Sequence, residues 1–338
     1  MSTRLLSVAL SVLFLFGATA CDRDKDISGP VFTDGLNLII QNEFVSAPAK
    51  VSVFFKVETS EGEPVAGLTD GNFTISENEK LISADEAARQ ISPRRQQFAY
   101  STLLILDLSA SVTNNNLPRL KEAAKLFVTS VIPEDNDGSI NIGINWFDGE
   151  DKLHQLHDFS SDVNSLLTAI DGVNPDISQD NSTDLYGAVI KGVSRINSIF
   201  WEYQNDDLIS AASIVVFTDG TDQAARYTQE RALESVSTAS DQISFYSIGL
   251  GSEIDENVLR SIGNNGFAFA ENTNQLIETF ERIAGIVSRD ANSYYLFEYC
   301  SPKRNGQHNV TISATYENLR GSVTTKFDAN DFGGGCSL

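Results

Sequence analysis

Basic residues are scarce in this sequence. Lys and Arg number 24 against 46 Asp and Glu in 338 residues, a formal net charge of −22 at pH 7. A nucleic-acid partner is thereby disfavoured, because displacing the counterions of a phosphate backbone needs a basic face. Cations, in contrast, are drawn to such a surface. Histidine is nearly absent, at 3 residues (His154, His157 and His308), which leaves a Ser-His-Asp hydrolase short of a general base. Cysteine is equally rare, and its count of 3 is odd, so at least one needs a separate explanation. No repeat of solenoid length is visible. What is present is the material for a core: 41% hydrophobic residues, with 20 Phe, excludes wholesale disorder. The length suits two domains.

The N-terminus accounts for the odd cysteine. Arg4 leads an apolar stretch from Leu5 to Phe16, and Gly17-Ala18-Thr19-Ala20-Cys21 follows. This is a charged n-region, a short h-region and a small-residue cleavage site, too short to span a bilayer comfortably. Residues 1–20 are therefore expected to be a signal peptide, outside the fold. Small residues before a Cys resemble the bacterial lipoprotein signal, in which Cys21 would become the lipidated first residue. Ala18 stands where Leu is usual in that signal, and the alternative is an ordinary secretory signal cut at Ala20 that leaves Cys21 a free thiol. Residues 21–30 are polar and without periodicity, a tether between membrane anchor and body. Asp22 resembles the residue that retains enteric lipoproteins in the inner membrane. An exported chain meets an oxidising compartment, so Cys300 and Cys336, both in one short C-terminal segment, are expected to form a disulfide.

Two textures alternate along the body. In residues 31–98, Val51, Val53, Phe55 and Val57 alternate with other residues as in a half-buried strand, and Gly62, Pro64, Gly67 and Gly71 punctuate turns. The same texture returns in residues 294–338, through Tyr294–Phe297, Val310–Ala314 and Val323–Phe327. Between them, residues 99–293 read differently. Thr102-Leu103-Leu104-Ile105-Leu106 is a continuous apolar run ending in Asp107, and Ile140–Trp146, Ile214–Phe217 and Phe245–Ile248 are further buried strands. Leu117, Leu120, Ala124, Phe127 and Val131 have helical spacing, as do Leu185, Ala188, Val189, Val193 and Ile196. Helices are also predicted over Ala225–Ser237 and Asn274–Val287. The expected architecture is an α/β, doubly wound, mostly parallel sheet inserted into a β-sandwich-like domain built from both flanks. The alternative is two β segments that never meet. Insertion is favoured because neither flank alone has strands enough for a stable sandwich.

The chemistry gathers where such a sheet presents its ligand site, beyond the carboxyl ends of its strands. Asp107-Leu108-Ser109-Ala110-Ser111 follows the first strand, Ser182-Thr183-Asp184 precedes the Leu185 helix, and Thr218-Asp219-Gly220 follows the third strand. All these are hard oxygen donors, and none is His or Cys, which suits Mg²⁺. The set resembles the metal-ion-dependent adhesion site (MIDAS) of von Willebrand factor type A domains: a DxSxS run, a Thr on a following loop and an Asp in a TDG turn. The resemblance implies a Rossmann-like fold. It also implies that Ser109 and Ser111 bind the metal directly, and that Thr183 binds it directly or through water while capping its helix. Asp107 and Asp219 would hold metal-bound waters or, in some states, the metal itself. Mg²⁺ is the ion implied, with Mn²⁺ or Ca²⁺ as substitutes. Gly62–Phe73 looks like the strand and turn found before many bacterial domains of this type, and Tyr294-Tyr295-Leu296 like the segment after them. Asn114-Asn115-Asn116 stand where integrins carry the acidic pair of a second metal site, so a second ion is not expected from that pattern.

Other readings are weaker. A haloacid-type phosphatase needs a second Asp where Ser109 stands. His154 and His157 could hint at zinc, but lie in a polar stretch better explained as solvated surface. Asp180, Asp184 and Asp222 are expected to be charge on the rim of the site, and Trp146 and Trp201 to be core or half-core. No catalysis is expected. With only two carboxylates around the ion, it keeps much of its charge and an exchangeable water. A protein ligand presenting Asp or Glu is the partner implied, for a lipid-anchored module of the bacterial cell envelope. The alternatives are a structural scaffold whose ion only stabilises loops, or a metal-dependent hydrolase.

Overall fold

An apolar run without polar alternation belongs at the centre of a sheet covered on both faces, and Thr102–Leu106 lies there. The computed structural model describes residues 35–83, 89–92, 98–206, 208–336 and 338; the expected signal peptide, the expected tether and Cys21 fall outside them. In chain order, the first strands are β1 (Leu36–Ser46), β2 (Lys50–Thr59), β3 (Phe73–Glu77), β4 (Lys80–Leu81) and β5 (Arg89–Ser92). An α/β stretch follows. It comprises β6 (Phe98–Asp107), α1 (Ala110–Asn115), α2 (Leu117–Val131), β7 (Ile140–Phe147), β8 (His154–Ser160) and α3 (Val163–Gly172). It continues through α4 (Leu185–Asn205), β9 (Ile209–Thr218), α5 (Gln229–Ser237), β10 (Ile243–Leu250), α6 (Glu256–Ile262), β11 (Gly266–Ala270) and α7 (Leu276–Ala291). β12 (Tyr294–Cys300), β13 (Gln307–Tyr316) and β14 (Leu319–Asp328) complete the order.

The α/β stretch forms one sheet, β11-β10-β9-β6-β7-β8, parallel except for β8. Strand periodicity sorts β6 between two cores. Leu104 and Leu106 pack with Phe127 of α2 and Phe280 of α7, while Leu103 and Ile105 pack with Val189 of α4 and Ala232 of α5. The fold is thus α/β with a doubly wound, mostly parallel sheet. Two further sheets, β1-β2-β12-β5 and β14-β13-β3-β4, enclose a core that includes Val53, Phe55, Ile75, Tyr295, Phe297 and Ile312. β12 pairs with β2 and β5, and β13 with β3, so strands from before and after the α/β stretch share both sheets. Cys300 and Cys336 are joined in a disulfide.

The chain enters and leaves the α/β stretch through one aromatic cluster, where Phe54, Phe98, Tyr100 and Tyr294 lie with ring centroids 5.0–6.0 Å apart. Beside it Lys56 Nζ lies 2.8 Å from Asp290 Oδ1, the Asp side chain being wholly buried. The Tyr100 hydroxyl donates to Asp290 Oδ2. Burial, and secondarily the Asp290 charge, pushes the Tyr100 hydroxyl well above its ordinary pKa, so it stays a donor.

Several local expectations need correction. α5 begins at Gln229, not Ala225: Ala225 takes a positive φ of 51°, outside any right-handed helix, and Thr228 caps the helix by accepting from Arg231 N. α7 starts at Leu276 after a short 3₁₀ turn and runs past Val287 to Ala291, because Val287 and Ala291 are both buried. β8, α3, α6 and β11 escaped the sequence reading. β8, His154–Ser160, is an edge strand with no fully buried residue, so its hydrophobic alternation is faint. Trp146 is buried as expected, but Trp201 is 67% exposed. Among the described residues no helix is long and apolar enough to cross a membrane.

Candidate metal centre

β6 delivers Asp107 to the carboxyl edge of the sheet between β7 and β9, where it is completely buried. The chain then turns: Asp107 Oδ1 accepts from Ser109 N at 2.9 Å, and Oδ2 accepts from Thr218 Oγ1, the last residue of β9, at 2.6 Å. The turn leaves Ser109 as the residue before α1 and Ser111 in its first turn, with their hydroxyl oxygens 3.3 Å apart. Ser111 Oγ donates to Asp219 Oδ1 at 2.7 Å. Asn116 Nδ2 donates to the other Asp219 oxygen at 3.3 Å, and Thr273 Oγ1 steadies Asn116 by donating to its Oδ1 at 2.7 Å. The Thr183 carbonyl accepts from Gln223 N and Ala224 N at 2.8 and 3.0 Å, which laces its loop to the one carrying Asp219.

Asp107, Ser109, Ser111 and Asp219 are therefore linked through side-chain hydrogen bonds, and Thr183 through its backbone. The Thr183 side chain is buried and makes no hydrogen bond among the described residues. Magnesium–oxygen bonds of about 2.0–2.1 Å put neighbouring ligands of an octahedron about 2.9 Å apart. The Ser109–Ser111 and Ser111–Asp219 separations of 3.3 and 2.7 Å bracket that spacing, so these donors fit a small hard cation. Asp107, with its oxygens engaged by Ser109 N and Thr218 Oγ1, fixes the turn that carries the two hydroxyls. Burial pushes its carboxyl up to about 7, with the Asp219 charge adding and the Thr218 and Ser109 hydrogen bonds opposing. Burial also raises Asp219, against the hydrogen bonds from Ser111 and Asn116. A cation would lower both.

Thr183 does not cap α4. The helix starts at Leu185, which passes the capping position to Asp184, whose carboxylate accepts from Gly187 N and meets Lys191 Nζ at 3.1 Å. Asp184 is thus a buried cap rather than rim charge. Asp180 accepts from Ser182 N and Oγ, and Asp222 from Tyr186 N and Ala225 N, so both shape loops. Thr218 and Asn116, which hold the two carboxylates, were missed as site residues. Thr218 is visible inside the TDG turn, whereas nothing in the Asn114-Asn115-Asn116 run marks Asn116 as a site residue.

A second group, Asp148, Glu150 and His154, brings ligand atoms within 4.8 Å of one another. Asp148 is already saturated, with Oδ1 accepting from Glu150 N and Oδ2 from Ser178 Oγ, Gln179 N and Asp180 N. It is a clasp for the loop before α4. His154 is not solvated surface: its ring stacks on Trp146 at 3.9 Å, and burial lowers its pKa, with Lys152 adding. His157, beyond an irregularity in the β7–β8 ladder, is not part of that group, and its Nδ1 lies 2.7 Å from the Asp158 carbonyl oxygen.

The von Willebrand factor type A domain family matches residues 103–283. No curated protein matches the sequence significantly. Among solved structures, a von Willebrand factor type A protein from Catenulispora acidiphila is 10% identical, over 88% of this chain and 74% of that one, with a TM-score of 0.46. The von Willebrand domain of the type V pili tip protein Mfa5 from Porphyromonas gingivalis is 14% identical, over 55% and 94%, with a TM-score of 0.42. Manganese-loaded TRAP protein of Plasmodium vivax is 13% identical, over 72% and 98%, with a TM-score of 0.45. With the family match spanning more than half of the sequence and every loop of the site inside it, the chain belongs to the von Willebrand factor type A domain family.

Proposed function

We propose that this chain is a metal-ion-dependent protein-binding module of a bacterial envelope lipoprotein, holding Mg²⁺ with Asp107, Ser109, Ser111, Thr183 and Asp219. The observation that carries this reading is the convergence of the Ser109, Ser111 and Asp219 oxygens at 3.3 and 2.7 Å. A bound Mg²⁺ supplies a positive centre with an exchangeable ligand position, which an Asp or Glu of a partner protein can fill. Ser109 and Ser111 contribute neutral oxygens, which leave that centre electrophilic. Asp219 orients the Ser111 hydroxyl, Asp107 fixes the turn that carries Ser109, and Thr218 and Asn116 hold the two carboxylates in turn. Among the described residues no His or Cys side chain is hydrogen-bonded to these five, and the reading is binding without turnover. Long-range repulsion between this acidic chain and an acidic partner is screened beyond about 8 Å at physiological salt, so a short local contact suffices.

Calorimetric titration of the purified chain with Mg²⁺ and Mn²⁺ should show one site, lost in the Ser109→Ala, Ser111→Ala double variant. Saturation at about a hundred times Kd should stabilise the fold by roughly 2.7 kcal/mol. No binding at millimolar metal would sink the metal site. Asn116→Ala, which frees one Asp219 oxygen, should weaken metal binding by about 10–100-fold without unfolding the chain; unchanged affinity would mean Asp219 is positioned without it. Crosslinking pull-down from membranes should capture a partner that EDTA and the double Ser variant both release. Capture indifferent to both would favour a scaffold role. Metal-dependent turnover of an ester or phosphoester would overturn the binding reading. Incorporation of a labelled lipid precursor should fail in Cys21→Ala.

A further inference from the structure

The last turns of α4 carry Asn197, Trp201 and Gln204 at i, i+4 and i+7, one stripe of the helix. An aromatic on a surface helix normally turns toward the core. Here Trp201 is 67% exposed, the most exposed large hydrophobic side chain among the described residues. The stripe borders a cleft of about 520 Å³ completed by Ser210 and Gln242 at the amino ends of β9 and β10, and by Asn42 of β1. Asn42 reaches it because β1 is bulged between Ile40 and Asn42, and such bulges re-aim side chains. Ser210 and Asp219 lie at opposite ends of β9, which sets the cleft about 30 Å from the proposed metal centre.

The chemistry of this cleft is distinctive. No described side chain lining it is charged, in a chain of which 21% is charged. Four carboxamides and a hydroxyl share the lining with the Trp201 indole and with Phe200, Leu208 and Ile209. Among the described residues the side chains of Asn197, Gln204 and Ser210 make no hydrogen bond, although Ser210 is only 8% exposed. A carboxamide is the neutral side chain that both donates and accepts through separate atoms. An apolar ligand would leave these groups unpaired, and an ionic one would find no counter-charge on the described lining. A pyranose ring meets both demands, with a flat C–H face for the indole and a rim of hydroxyls that donate and accept.

We propose that this cleft binds a neutral saccharide, one ring stacked on Trp201 and its hydroxyls paired with Asn42, Asn197, Gln204, Ser210 and Gln242. The chain has two Trp, and Trp146 is buried, so iodide quenching of fluorescence reports on Trp201. With cellopentaose or chitopentaose as probes, quenching of the full chain should be protected saturably, with Kd at or below about 1 mM, and equally in EDTA. By calorimetry, Trp201→Ala should weaken binding of the same sugar about tenfold, the upper range of an aromatic contact. Asn197→Ala with Gln204→Ala should weaken it as well. Both positions are exposed, so the circular dichroism melt should match the parent. Failure of both sugars to protect Trp201 at millimolar concentration would overturn the proposal, as would sugar binding undiminished in Trp201→Ala. Protection by an apolar peptide and by neither sugar would also overturn it, and would mark a protein-docking face instead.

Discussion

Asp290→Ala should destabilise the chain by about 3 kcal/mol, because it leaves the mostly buried Lys56 ammonium with the more distant Glu58 carboxylate, at 3.7 Å, as its ion-pair partner. The Lys56 side chain is 10% exposed and the Asp290 side chain not at all, and their charged atoms lie 2.8 Å apart. The same substitution removes the acceptor of the buried Tyr100 hydroxyl. A surface ion pair offers the contrast. Arg119 and Glu122 are 50% and 56% exposed, and Arg119→Ala should cost no more than about 0.5 kcal/mol. Replacing both partners, as in Lys56→Met with Asp290→Leu, should recover part of the loss, since the desolvation of two charges disappears with them while the Tyr100 hydroxyl stays without its acceptor. Urea titration at constant m-value measures all three. A cost below about 1 kcal/mol for Asp290→Ala would show that the junction does not depend on this pair. What the pair joins is specific: Lys56 belongs to β2, and Asp290 to the last turn of α7. At the other end of that helix, Thr273 in the preceding turn holds Asn116, and through it Asp219.

Loss of the Cys300–Cys336 disulfide should cost a similar amount, about 4 kcal/mol, from the entropy of closing a separation of 36 residues. The closed segment contains the β13–β14 hairpin, which pairs with β3, and a tail in which Phe332 stacks on Phe327. Without the link, that tail is held to β1 and β2 mainly by local contacts such as Gly333 N to Pro48 O. Cys300→Ala with Cys336→Ala should therefore unfold at lower urea and lose amide protection first beyond β14. A change under about 1 kcal/mol would mean that the hairpin's packing, rather than the closure, orders the C-terminus. The double variant is preferable to reduction by thiol, because it leaves Cys21 untouched.

The legible features were those whose cause is local. β6 was readable because every residue from Thr102 to Leu106 is buried, on one face or the other. β8 was obscure because an edge strand with half-exposed residues carries little hydrophobic contrast, and α5 was mis-bounded because the turn at Ala225 is set by Asp222 rather than by a breaker residue. The candidate site divides the same way. Its five residues stand in short motifs at the ends of recognisable elements. Thr218 and Asn116 matter through atoms they meet across the fold, the carboxylates of Asp107 and Asp219.

By itself the sequence determined the alternation of strand and helix, the doubly wound sheet and the oxygen-only character of its carboxyl edge. Burial drives each element through a period that can be read along the chain. Only the tertiary structure decided which oxygens stand side by side, that Lys56 meets Asp290, that Asp148 is saturated, and that Trp201 faces an uncharged cleft. Polar pairing depends on separations of about 3 Å between residues distant in sequence, and no local periodicity encodes those.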